Sequence, residues 1–353
     1  MNVLISRTDA IGDLVLTLPM IYFIKKKIPE AKIYLVTSPR NSAFAIDPMI
    51  EDILVLDPKS SLFLRLKQLS HFYLKNKINR YFFMGGSSVP TIAALFSGIF
   101  FRGGVKSRFI NFLLLNKGIR QKRSLVEMHE AAYNLKVLAP LGIDTSILHV
   151  EDFTPVILIS EEEKETLSHQ LKSILPFENY FVIHPGMTGH TLNWPVRNYV
   201  RLMLQINRFY PQINFVVTST KSDEKYMRDF HHELSKEEYQ TLADKIFFYL
   251  GDNRPPRLLL EILSEAKLFI GPSTGPMHLA TALKTKVVAL FSPIATQSRW
   301  RWGPLGEKER MQVLTPDVVC GERTKCLGAS CPYFECMPKI EVKDVFNAIV
   351  EIF

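Results

Sequence analysis

Along the chain, short apolar runs rich in β-branched and aromatic residues alternate with longer amphipathic segments. That alternation predicts parallel strands joined by helices, since a strand covered on both faces is apolar throughout and a covering helix is apolar on one stripe. In the first half the runs predict strands at residues 3–6, 33–36, 53–56 and 81–84. In the second half they predict strands at residues 180–184, 213–218, 246–250, 268–270 and 287–291. The rhythm breaks at residues 151–165, where Asp152, Pro155 and the acidic run Glu161, Glu162, Glu163 intervene. A domain boundary is therefore expected near residue 155, with one domain over 1–155 and a second over 156–353. Two α/β domains in tandem predict a cleft between them, lined by the carboxyl ends of both sets of strands, where ligands bind.

A length of 353 residues suits two domains with ordinary cores. The most apolar stretches, residues 91–101 and 109–115, are broken by Ser97, Gly98 and the basic residues 102–108. Both fall short of the roughly 20 residues a membrane span needs. The opening MNVLISRTDAIGD lacks the features of a secretory signal, so a cytoplasmic protein is expected. The net charge of +8 is unevenly spread: residues 1–155 hold 20 Lys and Arg against 12 Asp and Glu, whereas residues 156–353 hold 23 of each. A basic first half points to an anionic partner or to a solvated basic face. Nucleic acid is set aside, because no nucleic-acid motif occurs and the glycine loops follow strands, as in nucleotide sites.

The first of those loops runs from the strand at residues 3–6 through Arg7, Thr8, Asp9, Ala10, Ile11 and Gly12 to Asp13, ahead of an apolar helix. Asp13 can cap that helix, or it can face a cleft as a general base that takes the proton of an attacking hydroxyl. One carboxylate suffices when the leaving group is a nucleoside diphosphate, which needs charge stabilisation rather than a second acid.

Two further loops are candidate phosphate cradles. In KLFIGPSTGPMHLATAL a strand leads through Gly271, Ser273, Thr274 and Gly275 into a helix, with Ser273 or Thr274 as the cap and Pro276 in the first turn. Its amides and the positive end of its dipole suit a diphosphate, and His278 lies one turn on, after Met277, on the face of Thr274. In VIHPGMTGHTLNWP, Gly186, Thr188 and Gly189 follow a strand, offering close backbone approach and a hydroxyl. A third loop, TSTKSDEKYM, places Lys221 to meet a phosphate and Asp223 to meet a ribose, or else forms a solvated helix start. No Asp-x-Asp pair occurs, so transfer without a divalent metal is expected, and no cofactor. Cys320, Cys326, Cys331 and Cys336 fall in one tail segment with gaps of five, four and four residues. Those gaps are wider than most zinc pairs, and reduced packing cysteines are favoured over a structural metal.

These segments resemble the ADP-heptose lipopolysaccharide heptosyltransferases of glycosyltransferase family nine. The resemblance rests on VLISRTDAIGDLVLTLP, FSGIFFRGGV, EMHEAAYNLKVLAPLGI, the HPG loop with NWP, GPSTGPMHLATAL and the cysteine tail, and spans nearly the whole chain. It implies a GT-B fold of two Rossmann-like domains and an inverting transfer of heptose from ADP-heptose to the Kdo or heptose of a lipopolysaccharide inner core. It implies that the second domain binds the donor and that the basic first domain receives an anionic acceptor at the inner leaflet of the inner membrane. It also implies that Asp13 is the base, that Arg7, Thr8 and Gly12 meet the acceptor, and that Thr188, Gly189, Thr274, Gly275 and His278 meet the donor. Two positions depart from the family pattern. Ser273 stands where an acid often precedes Thr-Gly-Pro, and Leu192 where a cation often precedes the Asn-Trp-Pro. His190, Arg197 and Lys221 are the candidates to replace that cation.

Overall fold

The computed structural model describes residues 1–106, 109–187, 192–320 and 324–353. The chain forms two compact units, one of Met1–Arg123 with Met128–Leu158, the other of Ser124–Glu127 with Ile159–Phe353. The first unit holds a parallel sheet of β1 (Asn2–Arg7), β2 (Lys32–Thr37), β3 (Ile50–Val55), β4 (Arg80–Gly85), β5 (Phe101–Val105) and β6 (Lys117–Ile119), in the order β3-β2-β1-β4-β5-β6. The second unit repeats the plan with β7 (Tyr180–Ile183), β8 (Asn214–Ser219), β9 (Ile246–Leu250), β10 (Leu268–Pro272), β11 (Val287–Leu290) and β12 (Met311–Leu314), in the order β12-β11-β10-β7-β8-β9.

Central strands are the continuous apolar runs, and all four residues of β7 are buried. Each sheet is closed by helices that bury one stripe. In the first unit Leu4, Tyr81 and Phe83 pack on Leu69, Phe72 and Tyr73 of the helix Leu62–Lys75. In the second, Phe181, Ile183 and Phe215 pack with Tyr199, Met203 and Ile206 of Val196–Phe209, and the last helix, Val342–Ile352, adds Val345 and Ile349.

Three strands lie outside the apolar runs. β5 reads FRGGV, and its glycines are there because a Cβ on Gly103 would stand 2.6 Å from the Phe82 ring while Gly104 has φ +131°. β6 reads KGI over three residues and β12 reads MQVL with every residue half-buried, so neither presents a continuous apolar run. β3 begins at Ile50 rather than at residue 53. The interruption at 151–165 is itself partly helical, with a short helix Val150–Phe153 and then Glu161–Ile174 capped by Ser160.

In both sheets the crossovers run outward in opposite directions from one strand pair, β1/β4 in the first unit and β7/β10 in the second. The crevice at the carboxyl ends of such a pair is where parallel sheets bind ligands.

Candidate functional site

At the β1/β4 switch point the chain leaves β1 and enters the helix Ile11–Val15, whose N-cap is Ala10 and has no side-chain cap bond. Asp13 is the third residue inside that helix, so of its two readings the capping one is not what forms. Its carboxylate instead accepts from Arg7, which is 3% exposed and also donates to the carbonyl of Met84 at the end of β4. Arg7 Nε lies 2.8 Å from Asp9 Oδ1, a second ion pair on the same guanidinium. Burial by itself loosens the proton of Arg7, but Asp13, Asp9 and Glu130 more than reverse this, and its pKa rises. Burial likewise raises the carboxyl of Asp9, and repulsion from Asp13 adds to it, against the pull of Arg7. One guanidinium therefore serves two carboxylates, and Asp13 is the one inside the helix.

The loop after β4 braces this arrangement. Thr8 Oγ1 accepts from the amide of Ser87 at 2.8 Å, and Asn41, fully buried, donates to the carbonyl of Asp9 at 3.1 Å. A Cβ on Gly85 would stand 2.4 Å from Asp9 Oδ2, and one on Gly86, at φ +84°, 2.1 Å from Thr8 Oγ1. Only glycine allows this approach. The pair escaped the sequence reading, although two glycines at the end of an apolar strand are the signal that finds them. Arg7 and Thr8, expected at the acceptor, are placed within the framework of the loop, and Gly12 is buried beside them.

At the β7/β10 switch point His184 is fastened by its amide to the carbonyl of Ile270 at 2.9 Å, and a Cβ on Gly271 would stand 2.9 Å from the His184 carbonyl. His184 Nδ1 lies 3.0 Å from the carbonyl of Thr218. Thr218 Oγ1 is equally close at 3.0 Å, and because a carbonyl only accepts, a proton on Nδ1 is what lets the ring donate to Thr218. Burial lowers the pKa of His184, against the opposing pull of Asp223. Asp223 is buried, and its Oδ2 takes the amide and hydroxyl of Thr220 at 2.8 and 2.7 Å. Around it the helix start is solvated, with Lys221, Ser222, Glu224 and Lys225 exposed, and Asp223 is the buried member. Asp223 Oδ1 fills the space a Cβ on Gly186 would need, 2.4 Å away, so this glycine makes room for a carboxylate.

Lys221 is exposed beside it, its amide bonded to Asp252 Oδ2 at 2.6 Å. Thr188, Gly189 and His190 lie outside the described residues. The Asn-Trp-Pro that follows anchors this loop: Asn193 donates to the Pro185 carbonyl, and buried Trp194 donates to the Ile340 carbonyl at 2.8 Å.

After β10, Thr274 occupies the N-cap of the helix Gly275–Ala282 but makes no side-chain cap bond, since its hydroxyl donates to the Pro272 carbonyl at 3.3 Å. Pro276 has no amide proton and the His278 amide bonds the Thr274 carbonyl at 3.3 Å, so the amides without a side-chain cap are those of Gly275 and Met277. Ser273 and Gly275 are half-buried there, whereas Met277 and His278 are buried in the first turn.

The cysteines divide by environment. Cys336 is part of the core of the second unit, and burial followed by the neighbouring Cys326, Cys320 and Cys331 raises its thiol. Cys326 is exposed and accepts from the Gly328 amide at 3.3 Å. All four line a cavity of about 610 Å³ with Trp194, Arg197 and Tyr226. The packing expectation therefore fits Cys336 and is corrected for Cys326. Among the described residues no group of three or more His, Cys, Asp or Glu is placed to hold a metal ion.

Two parallel sheets with glycine-bearing loops at both switch points have the GT-B plan of two Rossmann-like units. The chain belongs to glycosyltransferase family 9, the heptosyltransferases, whose sequence profile matches residues 134–329. It is 22% identical over 355 residues to lipooligosaccharide heptosyltransferase 2 of Campylobacter jejuni, covering 98% of this chain and 97% of that one. Its fold is similar to that of the family 9 glycosyl transferase from Veillonella parvula, with a TM-score of 0.81 at 18% identity over 99% of this chain and 96% of the other. It is also similar to that of the E. coli ADP-heptose lipopolysaccharide heptosyltransferase II, with a TM-score of 0.77 at 18% identity over 100% and 98%.

Proposed function

We propose that the protein transfers heptose from ADP-heptose to the Kdo or heptose of a lipopolysaccharide inner core, with inversion and without a metal, and that it works on the inner leaflet of the inner membrane. The observation that carries this is Asp13, a partly exposed carboxylate at the β1/β4 switch point, held by a buried guanidinium. The acceptor hydroxyl gives its proton to Asp13 as its oxygen bonds to the anomeric carbon. The bond from that carbon to the β-phosphate breaks, and ADP departs with the electron pair. Attack on the face opposite the leaving group inverts the centre.

The Gly275 and Met277 amides and the positive end of the helix dipole supply the charge stabilisation that ADP requires, with Ser273, Thr274 and His278 beside them. Exposed Lys221 adds a cation from the loop after β8. Thr188 and Gly189 are assigned to the donor by resemblance. ADP-heptose is supported by the name of the E. coli relative, which carries that donor. The first unit would take the acceptor and the second the nucleotide sugar.

The test is turnover of purified protein with ADP-heptose and a heptose-deficient lipopolysaccharide, against other ADP- and UDP-sugars. ADP release matched by heptosylated product of inverted configuration, unaffected by chelator, is the expected result. Faster turnover of another donor, or activity lost to chelator and restored by Mg²⁺, would overturn the donor or the metal-free assignment.

A further inference from the structure

The helix Phe109–Leu114 of the first unit is inside out. Its one buried residue is Asn111, at 0% exposure, and neither end of that amide has a hydrogen-bond partner among the described residues. The residues it turns outward are Phe109, Ile110, Phe112 and Leu113. In water a helix buries its apolar stripe and wets its polar one, so a reversed helix signals that its outer face meets something other than water.

The neighbouring helices continue the same surface. Leu62–Lys75 packs on Val89–Phe96, and Val89–Phe96 packs on Phe109–Leu114. The crossovers from β3 to β4, β4 to β5 and β5 to β6 all advance the same way across the sheet, and right-handed connection puts their helices in one layer. That layer exposes Phe63, Leu64, Leu74 and Phe96, with Phe100 in the turn that follows at 87% exposure.

Charge singles out the same segment. Residues 58–126 contain thirteen Lys and Arg and no Asp or Glu, so this stretch accounts for the whole basic excess of the first half. Two cations stand over one exposed ring of this surface: Lys106 Nζ is 5.4 Å and Arg120 Cζ 4.8 Å from the centre of Phe112. Long basic side chains can lie along apolar surface in water and swing their charges outward to phosphates when the rings are buried.

We propose that this helical layer is a docking face for a bilayer carrying anionic lipid, with Phe96, Phe100, Phe109, Ile110, Phe112 and Leu113 entering the acyl boundary and the surrounding Lys and Arg meeting lipid phosphates. An acid-free basic segment carrying exposed apolar side chains matches the two attractions that hold a peripheral protein on such a surface. Single-stranded nucleic acid fits less well. Rings could stack on bases, but Leu64, Leu74, Ile110 and Leu113 have no π-face to offer them. The inference deepens the reading of a lipid-linked acceptor and rests on it only for its biological setting. The assay below contains no nucleotide sugar, so docking and transfer can fail separately.

Flotation with vesicles of phosphatidylcholine alone, or of phosphatidylcholine mixed with phosphatidylglycerol, measures docking by the full chain. Binding to the anionic vesicles is expected to exceed binding to neutral ones by about tenfold or more and to fall with salt. The triple variant Phe96→Ser, Phe100→Ser, Phe109→Ser is expected to lose that binding with an unchanged melting temperature. Each of Lys106→Gln, Lys117→Gln and Arg120→Gln should weaken it about fivefold.

As a positional readout, Phe109→Trp should gain emission that brominated acyl chains quench. Phe209→Trp, at an exposed ring of the second unit, should not. Equal binding to both vesicle types, wild-type flotation of the triple variant, or no quenching at Phe109→Trp would overturn the proposal. So would ring-dependent binding of single-stranded DNA that displaces vesicles, or light scattering that shows the rings consumed in a dimer which does not float.

Discussion

Arg7 and Asp13 stand six residues apart in the chain and meet as an ion pair in which the guanidinium is buried and the carboxylate reaches the surface. Because Arg7 is also tied to Met84 on the adjacent strand, the pair fixes Asp13 relative to the sheet rather than to its own short helix alone. Replacing Arg7 tests this. Lysine keeps the charge but cannot span three partners with a single ammonium, so Arg7→Lys is expected to fold with transfer reduced at least about tenfold. Arg7→Met leaves Asp9 and Asp13 facing each other and should cost about 3 kcal/mol in thermal or denaturant unfolding.

Asp13→Asn preserves the size of the side chain and an acceptor for Arg7 but removes the base. Transfer is expected to fall at least about a hundredfold while nucleotide-sugar binding, followed by calorimetry, stays as in the parent. Normal turnover by this variant would remove Asp13 from the chemistry.

Gly186 and Asp223 are matched in size. A methyl group at residue 186 must displace a buried carboxylate that holds the amide and hydroxyl of Thr220, so Gly186→Ala is expected to lower stability by about 1–3 kcal/mol. The same change in a strand-to-helix loop without such a neighbour would be close to neutral, and the melting temperature separates the two.

His184 sets a pH dependence. Its folded pKa lies below the ordinary 6.5, so as pH falls below 6.5 the unfolded chain takes up a proton that the folded protein refuses. Stability is therefore lost from 6.5 downward and levels off below the folded value. Denaturant unfolding across that range should show the slope, and His184→Gln should flatten it. A parallel slope in the variant would assign the effect to another group.

The cysteines differ in reactivity. Cys326 is exposed while Cys336 is buried with a raised thiol, so alkylation followed by mass spectrometry should modify Cys326 first and Cys336 last. Similar rates at the two would mean that the tail segment is packed differently.

The switch-point loops were legible because glycine, a following helix and an adjoining apolar strand leave a local imprint, as in the segment from Gly271 to Gly275. What the chain did not disclose locally is who sits beside whom. Gly85 and Gly86 lie more than seventy residues from the Asp9 and Thr8 they accommodate, and nothing in either segment names the other. β6 and β12 stayed hidden for a different reason, since KGI and MQVL are too short and too mixed to show a period. The alternative of a cap at Asp13 came from residue type alone, whereas the structure draws the carboxylate into an ion pair with Arg7.

The reversed helix Phe109–Leu114 has a consequence for how this region tolerates change. Ordinary mutational logic is inverted there: serine or glutamine at the outward rings should leave folding intact and improve solubility, while the buried amide of Asn111 is the costly member. Asn111→Leu should raise the melting temperature, so the one conservative-looking position in the helix is where a gain in robustness is to be found.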